Sequence, residues 1–249
     1  MDADDYLPHR ESLEKLVQKA EETKADIVAG NYYKDMDGDL VEANEHGFKD
    51  HESTRTVDFR FRAFYSVGHL AYTWGKVYRT EFLKKNNLLM KPYRYSLDKL
   101  FNVECYLCAP VYAFVKDRVY VYRYNLSSIS HQYKKGFREM WIAITKEMHQ
   151  TMSAMSKGFA YFDLLAFNLF FAVFFSAKQE YTASGKSVKT VYKELEAYGQ
   201  DPFVKSFMIH LAKGKYVRDI ESFLWKTMIR VFSVGFRLKW YKLLAFGVK

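Results

Sequence analysis

An α/β domain followed by an all-helical region is the fold class this sequence predicts, on three observations. Alternating apolar runs such as ADIVAGNYYK (25–34) and VYAFVKDRVYVYRY (111–124) lie among helix-periodic segments only as far as residue 131. From about residue 134 the apolar period is helical throughout. The 249 residues, 49% hydrophobic and 18% aromatic, suffice for a real core in one domain plus an appendage, or in two small domains.

Taken in order, PHRESLEKLVQKAEET (8–23) reads as a helix. Pro8 suits a first helical position, and Leu13, Leu16, Val17 and Ala20 share a face. ADIVAGNYYK is a strand, and the Asp-Gly-Asp of KDMDGDLVE (34–42) turns it into a second. That turn is no calcium loop, because position twelve counted from Asp35 is His46, where a bidentate Glu is required. Residues 57–85 mix strand and helix signals, SLDKLFNVECYLCA (96–109) is helical, and VYAFVKDRVYVYRY alternates as a hairpin. Cys105 and Cys108 share a C-x-x-C spacing inside an apolar run without a second pair, which favours packed thiols over zinc or redox chemistry.

In the helical region, Phe137, Met140, Trp141, Ile144, Met148, Met152 and Met155 form one stripe, closed by Gly158. FAYFDLLAFNLFFAVFFSA (159–177) has the length of a membrane span, but Asp163 and Asn168 inside it favour a buried or interface-lying helix. SGKS (184–187) lacks the earlier glycine of a phosphate-binding loop and reads as a helix start.

The net charge of +9 is concentrated at the end. Residues 213–249 hold nine Lys/Arg against Asp219 and Glu221. In 216–249, large apolar residues interleave with Lys226, Arg230, Arg237, Lys239 and Lys242, the composition of a basic amphipathic helix on an anionic membrane surface. Cations spaced among bulky apolar residues form no polar groove, and no recognition motif is present, so no nucleic-acid partner is expected. The acidic start is the reverse of a secretory signal, and two cysteines make no disulfide framework. The expected location is the cytoplasm, peripheral on the inner face of the plasma membrane.

The chemistry centres on DADD (2–5). An exposed Asp-x-Asp can hold a hard divalent cation, which in turn holds a diphosphate. On its own the motif also fits a solvated acidic turn ahead of a helix. The series DADDY, amphipathic helix, ADIVAGNYY, TWGKVYRTEFLKKNNL, SLDKLFN and VYVYRYNLSSIS resembles family-two glycosyltransferases of the GT-A (Rossmann-like) fold, in particular bacterial polysaccharide and lipopolysaccharide enzymes. The resemblance covers residues 1 to about 131, with 132–249 as a helical C-terminal region.

That resemblance implies transfer of a sugar from a nucleotide-sugar donor to a glycan or lipid-linked acceptor, with inversion. It matches Asp2 and Asp4 to the motif that binds Mg²⁺ or Mn²⁺ and the donor diphosphate, and Asp5 to the acid that commonly follows and joins them at the diphosphate. Trp74 and Lys76 match an acceptor-side W-N-K pattern, with Gly75 in place of Asn. Asp98 matches the general base, with Leu97 where the family has Glu. Tyr120, Tyr122, Arg123, Ser128, Ile129 and Ser130 match a structural stretch, and His131 is a further metal candidate. In the family the acidic motif follows β-α units of about thirty residues each that hold base and ribose. The resemblance therefore implies a chain lacking its N-terminal nucleotide-binding half, with weak or absent activity. The competing reading is a non-catalytic membrane-surface or partner-binding remnant.

Overall fold

β1 (Ile27–Met36) is the spine of a four-stranded mixed sheet. Ile27, Val28 and Ala29 are almost fully buried, and a run of this kind suits a strand paired on both sides. The computed structural model describes residues 3–50, 52–93, 96–125 and 132–248. Two compact units emerge, Met1–Thr54 with Arg62–Gln132, and Arg55–Phe61 with Tyr133–Lys249.

In the first unit, Asp37 and Gly38 take φ of 56° and 101°, the left-handed pair of a tight hairpin, and lead into β2 (Asp39–Glu42). Asp35 Oδ1 closes the turn by accepting from the Gly38 amide at 2.7 Å. β3 (Lys76–Tyr78) pairs antiparallel with residues 27–29 of β1. β4 (Tyr112–Arg123) runs parallel along the other side.

The expected hairpin at VYAFVKDRVYVYRY is thus one twelve-residue strand. Its polar Lys116 and Asp117 belong to a bulge, not a turn. Phe114 pairs with Ala29 and Arg118 with Asn31, so residues 115–117 swell out opposite Gly30. Asn31 Nδ2 holds the bulge by donating to the Lys116 carbonyl at 2.9 Å. A Cβ on Gly30 would lie 2.5 Å from Val119 Cγ2 and 2.9 Å from Val115 Cγ2, so only glycine fits there.

α1 (Ser12–Thr23) begins four residues later than Pro8 suggests. Ser12 explains the delay, since its Oγ accepts from the His9 amide at 3.2 Å and closes a separate turn. Of the expected apolar face, Leu16 is buried and Ala20 packs beside it against Ala25, Val28, Ala113, Val115 and Val119, while Leu13 and Val17 are exposed. Cutting Leu16 to Ala at such a site costs about 2–5 kcal/mol. α2 (Val57–Phe61) belongs to the second unit, and a π-helical turn (Arg62–Ser66) returns to the first. α3 (Thr80–Lys85) follows β3, and α4 (Leu97–Leu107) precedes β4. Cys105 is buried on α4, where burial pushes its thiol up to about 12.

The second unit is helical. α5 (Phe137–Ser153) buries Trp141, Ile144, Met148 and Met152, as its stripe predicts. It ends at Ser153, earlier than Gly158 suggests; Gly158 instead opens a short 3₁₀ turn and lies directly against the Met152 carbonyl, where no side chain fits. α6 (Phe162–Ala183) is the core helix, buried from Asp163 through Val173. The segment Gly158–Ala183 is long and apolar enough to cross a membrane, yet most of it is enclosed by protein. Two of its polar side chains find partners on neighbouring helices: Asn168 Nδ2 donates to Thr145 Oγ1 at 2.8 Å, and Ser176 shares a 2.8 Å hydrogen bond with Tyr198 OH. α7 (Val188–Gln200) starts at Ser187, whose side chain caps Thr190 N, so SGKS is a helix start. α8 (Pro202–Ala212) is capped by Asp201. The basic tail is two helices, α9 (Phe223–Arg237) and α10 (Tyr241–Gly247), broken where Lys239 takes φ of 59°.

Candidate active site

The loop entering β3 and the first turn of α4 are laced together around Asp98. Ser96 precedes α4 but makes no side-chain cap. Asp98 faces the loop instead: its Oδ2 accepts from the Thr73 amide at 3.3 Å and the Thr73 hydroxyl at 3.0 Å. One turn on, Asn102 Nδ2 donates to the Tyr72 carbonyl at 3.0 Å and the Asp98 carbonyl at 2.9 Å, while its Oδ1 accepts from Tyr78 OH at 2.8 Å. Helix and loop therefore hold each other in register.

Lys76 completes the loop from within. Its ammonium donates to the Tyr72 carbonyl at 2.6 Å and the Trp74 carbonyl at 3.2 Å. Burial pushes its pKa down to about 7, against the pull of Asp98. Gly75 between them has φ of 66°, a region that glycine and asparagine enter most readily. Gly and Asn are thus conformationally equivalent at this position.

Trp74 sits among tyrosines. It stacks with Tyr72 at 4.6 Å, Tyr120 at 5.0 Å and Tyr122 at 5.6 Å between ring centroids, and meets Tyr32 edge-on at 4.8 Å. Tyr72 is 40% exposed, the outward-facing member of this cluster.

Through Tyr120 the cluster reaches the acidic start. Tyr120 OH donates to Asp5 Oδ2 at 2.7 Å, and the Arg123 amide donates to Asp5 Oδ1 at 2.8 Å. Asp5 is buried, with both oxygens engaged, and Tyr6 adds a backbone bridge to Val121. Asp5 is built as an anchor that pins the acidic turn to the end of β4. Asp4 beside it is exposed. Asp2, Ser128, Ile129, Ser130 and His131 lie outside the described residues.

Among the described residues no group of three or more His, Cys, Asp and Glu could hold a metal alone. A hard cation of the Mg²⁺ or Mn²⁺ type binds through one or two carboxylates and completes its shell with substrate phosphates and water. Asp4 supplies an exposed oxygen donor of that kind.

Behind the tyrosines lie two buried histidines that the sequence did not single out. His46 Nε2 lies 2.9 Å from the Val115 carbonyl, and its Nδ1 accepts from the Phe48 amide at 2.9 Å, which sets one neutral tautomer. His69 packs 5.6 Å from His46 and 5.2 Å from Tyr32. Neither of its ring nitrogens finds a hydrogen-bond partner among the described residues. Burial first, then His46 and Lys76, push its pKa down to about 3. Thr73, Asn102, Tyr32 and Tyr72 were likewise missed, while Tyr120 and Tyr122 were read as structural; of the missed residues only Asn102, one helical turn from Asp98, left a readable signal.

No protein-family model matches the chain. Over 155 residues it is 27% identical to EpsH, a proposed glycosyltransferase of Bacillus subtilis (strain 168), covering 58% of this chain and 42% of that protein. The fold is similar to S. aureus TarS 1–349 in complex with UDP-GlcNAc, with a TM-score of 0.60 and 18% identity over 97% of this chain and 63% of that one. TarS 1–349 in complex with UDP gives 0.56 at 17% identity, with the same coverage. The chain thus shares the mixed α/β architecture and helical C-terminal region of a glycosyltransferase structure, and spans less than two thirds of the length of either relative.

Proposed function

We propose that this chain belongs to a family-two, GT-A glycosyltransferase that moves a sugar from a nucleotide-sugar donor to a hydroxyl of a glycan or lipid-linked acceptor. The observation that carries this reading is the fixed path from Asp5 through Tyr120, Trp74 and Thr73 to Asp98, which ties the acidic start to a carboxylate held from one side. Similarity to EpsH and to the TarS fold supports the same class, and the UDP-GlcNAc and UDP bound by TarS support a uridine-type donor.

Asp98 is the general base. Thr73 fixes its Oδ2, and Oδ1 takes the proton of the attacking acceptor hydroxyl. A single base with in-line attack on the donor gives inversion at the anomeric carbon. Asp2 and Asp4 would hold Mg²⁺ or Mn²⁺, whose chemistry is to neutralise the charge growing on the departing diphosphate. Asp5 keeps their turn in place. Lys76 and Trp74 shape the acceptor side by fixing the loop that carries Thr73.

Titration with UDP in the presence and absence of Mn²⁺ tests the reading. Binding that requires Mn²⁺ and is lost in Asp4→Asn is expected. UDP binding that ignores both the metal and the substitution, or no binding at all, would favour a non-catalytic remnant.

A further inference from the structure

The C-terminal helices leave an unusual surface. α9 and α10 approach closely, with Leu244 side-chain atoms 3.0–3.5 Å from where a Gly235 Cβ would stand. Between them opens a groove of about 1000 Å³ lined by Leu224, Met228 and Val231 of α9, by Trp240 just before α10, and by Leu243 and Phe246 of α10. Leu224, Val231 and Leu243 are 73%, 65% and 64% exposed, and Trp240 is 53% exposed. These are large side chains facing outward along two successive helices, which a single packing face does not need.

The charge around them is of one sign. From Phe223 to Lys249 the chain has six Lys/Arg and no Asp or Glu. Arg237, Lys239 and Lys242 stand exposed around the helix break and pair with no carboxylate among the described residues. Long basic side chains beside exposed Trp and Leu match the headgroup layer of an anionic bilayer, with apolar tips below the phosphates and cations among them. A second copy of this face is the poorer partner, because isologous pairing would bring the same cations together.

We infer that the α9–α10 hairpin is a docking surface for an anionic lipid bilayer, with the Leu224–Val231–Trp240–Leu243 face inserted and Arg237, Lys239 and Lys242 at the phosphates. This goes beyond the transferase reading and does not depend on it.

Co-sedimentation of the full 249-residue chain with vesicles tests it. Vesicles of phosphatidylcholine with phosphatidylglycerol should pellet the protein at low salt, with high salt releasing it. Phosphatidylcholine alone should bind at least about tenfold more weakly. Lys239→Glu with Lys242→Glu should lower affinity for the anionic vesicles by about tenfold or more. Val231→Glu with Leu243→Glu should abolish pelleting while the circular dichroism spectrum and melting temperature hold, since all four positions are exposed. Should the apolar pair unfold the chain, Trp240→Phe serves instead: brominated lipid should quench wild-type fluorescence more than that of the variant. Equal binding to neutral and anionic vesicles, no binding, or a concentration-dependent dimer that the same substitutions dissociate while lipid has no effect would each overturn the proposal.

Discussion

Thr73 grips one oxygen of Asp98 twice, through its amide at 3.3 Å and its hydroxyl at 3.0 Å. The carboxylate of the proposed base is therefore aimed by a loop residue and not by its own helix cap. Whatever transfer the wild-type chain shows, Asp98→Asn should lower it about 10²–10⁴-fold with the fold intact. Thr73→Val keeps the shape and the amide bond but loses the hydroxyl. It should lower kcat about tenfold with little change in donor KM, and stability by about 1 kcal/mol. Thr73→Ser should restore both. A Val variant with wild-type kcat would show that the hydroxyl positions nothing.

Asp4 and Asp5 are adjacent yet should respond in opposite ways. Asp5 is buried and accepts from Tyr120 OH and the Arg123 amide, so Asp5→Ala leaves two donors unmatched and should cost about 2–3 kcal/mol in urea unfolding. Asp4 is exposed, and Asp4→Asn should change stability by no more than about 0.5 kcal/mol while removing Mn²⁺-dependent UDP binding. If the two variants behave alike in both assays, the division between anchor and ligand is wrong.

This pair also marks where sequence reading stops. The order of elements around Asp98 was legible because apolar period and turn chemistry are local: α4 starts at Leu97, and the Asp37-Gly38 pair makes its hairpin. The length of β4 was not, because Lys116 and Asp117 carry the same polar signal in a bulge as in a turn, and only the strand's pairing with β1 distinguishes them. Pro8 misled for a related reason, since the turn closed by Ser12 competes locally with the helix. The burial of Asp5 beside an exposed Asp4 was not legible, because its partners lie more than a hundred residues away. Tyr32, Tyr120 and Tyr122 meet Trp74 only through strand order.

His69 links stability to pH. Its folded pKa is depressed to about 3 from an ordinary 6.5, chiefly by burial. Between those values the unfolded chain binds a proton that the folded chain refuses. Stability from this residue is complete above pH 6.5 and falls as pH drops toward 3, by up to about 1.4 kcal/mol per unit. His69→Leu removes the term and should flatten the decline measured by urea unfolding across that window. His46, also depressed by burial, leaves a smaller slope in both proteins. An unchanged slope in the variant would mean that the imidazole is hydrated, not packed dry beneath Tyr32.

Arg60 and Asp163 form a pair that decides how the long apolar helix α6 is used. Arg60 Nε donates to Asp163 Oδ2 at 2.7 Å, and the other guanidinium nitrogens reach the Arg55 carbonyl at 2.7 Å and the Ala160 carbonyl at 3.3 Å. Both side chains are at most 4% exposed. Burial raises Asp163 to about 6, and Arg60 opposes that rise. Arg60→Leu deletes the counter-charge and should destabilise the protein by about 3–5 kcal/mol at pH 7. Asp163 then folds at lowest cost as the neutral acid. Below its raised pKa the proton is taken up readily, so the deficit should shrink as pH falls from 7 to 5. Replacing both partners with apolar residues, Arg60→Met with Asp163→Leu, should recover most of the loss, because no charge is left in the dry interior. A helix that entered a bilayer would instead gain from removing Asp163 and owe nothing to Arg60. Equal stability of wild type and Arg60→Leu at pH 7 would therefore rule out the core role of α6.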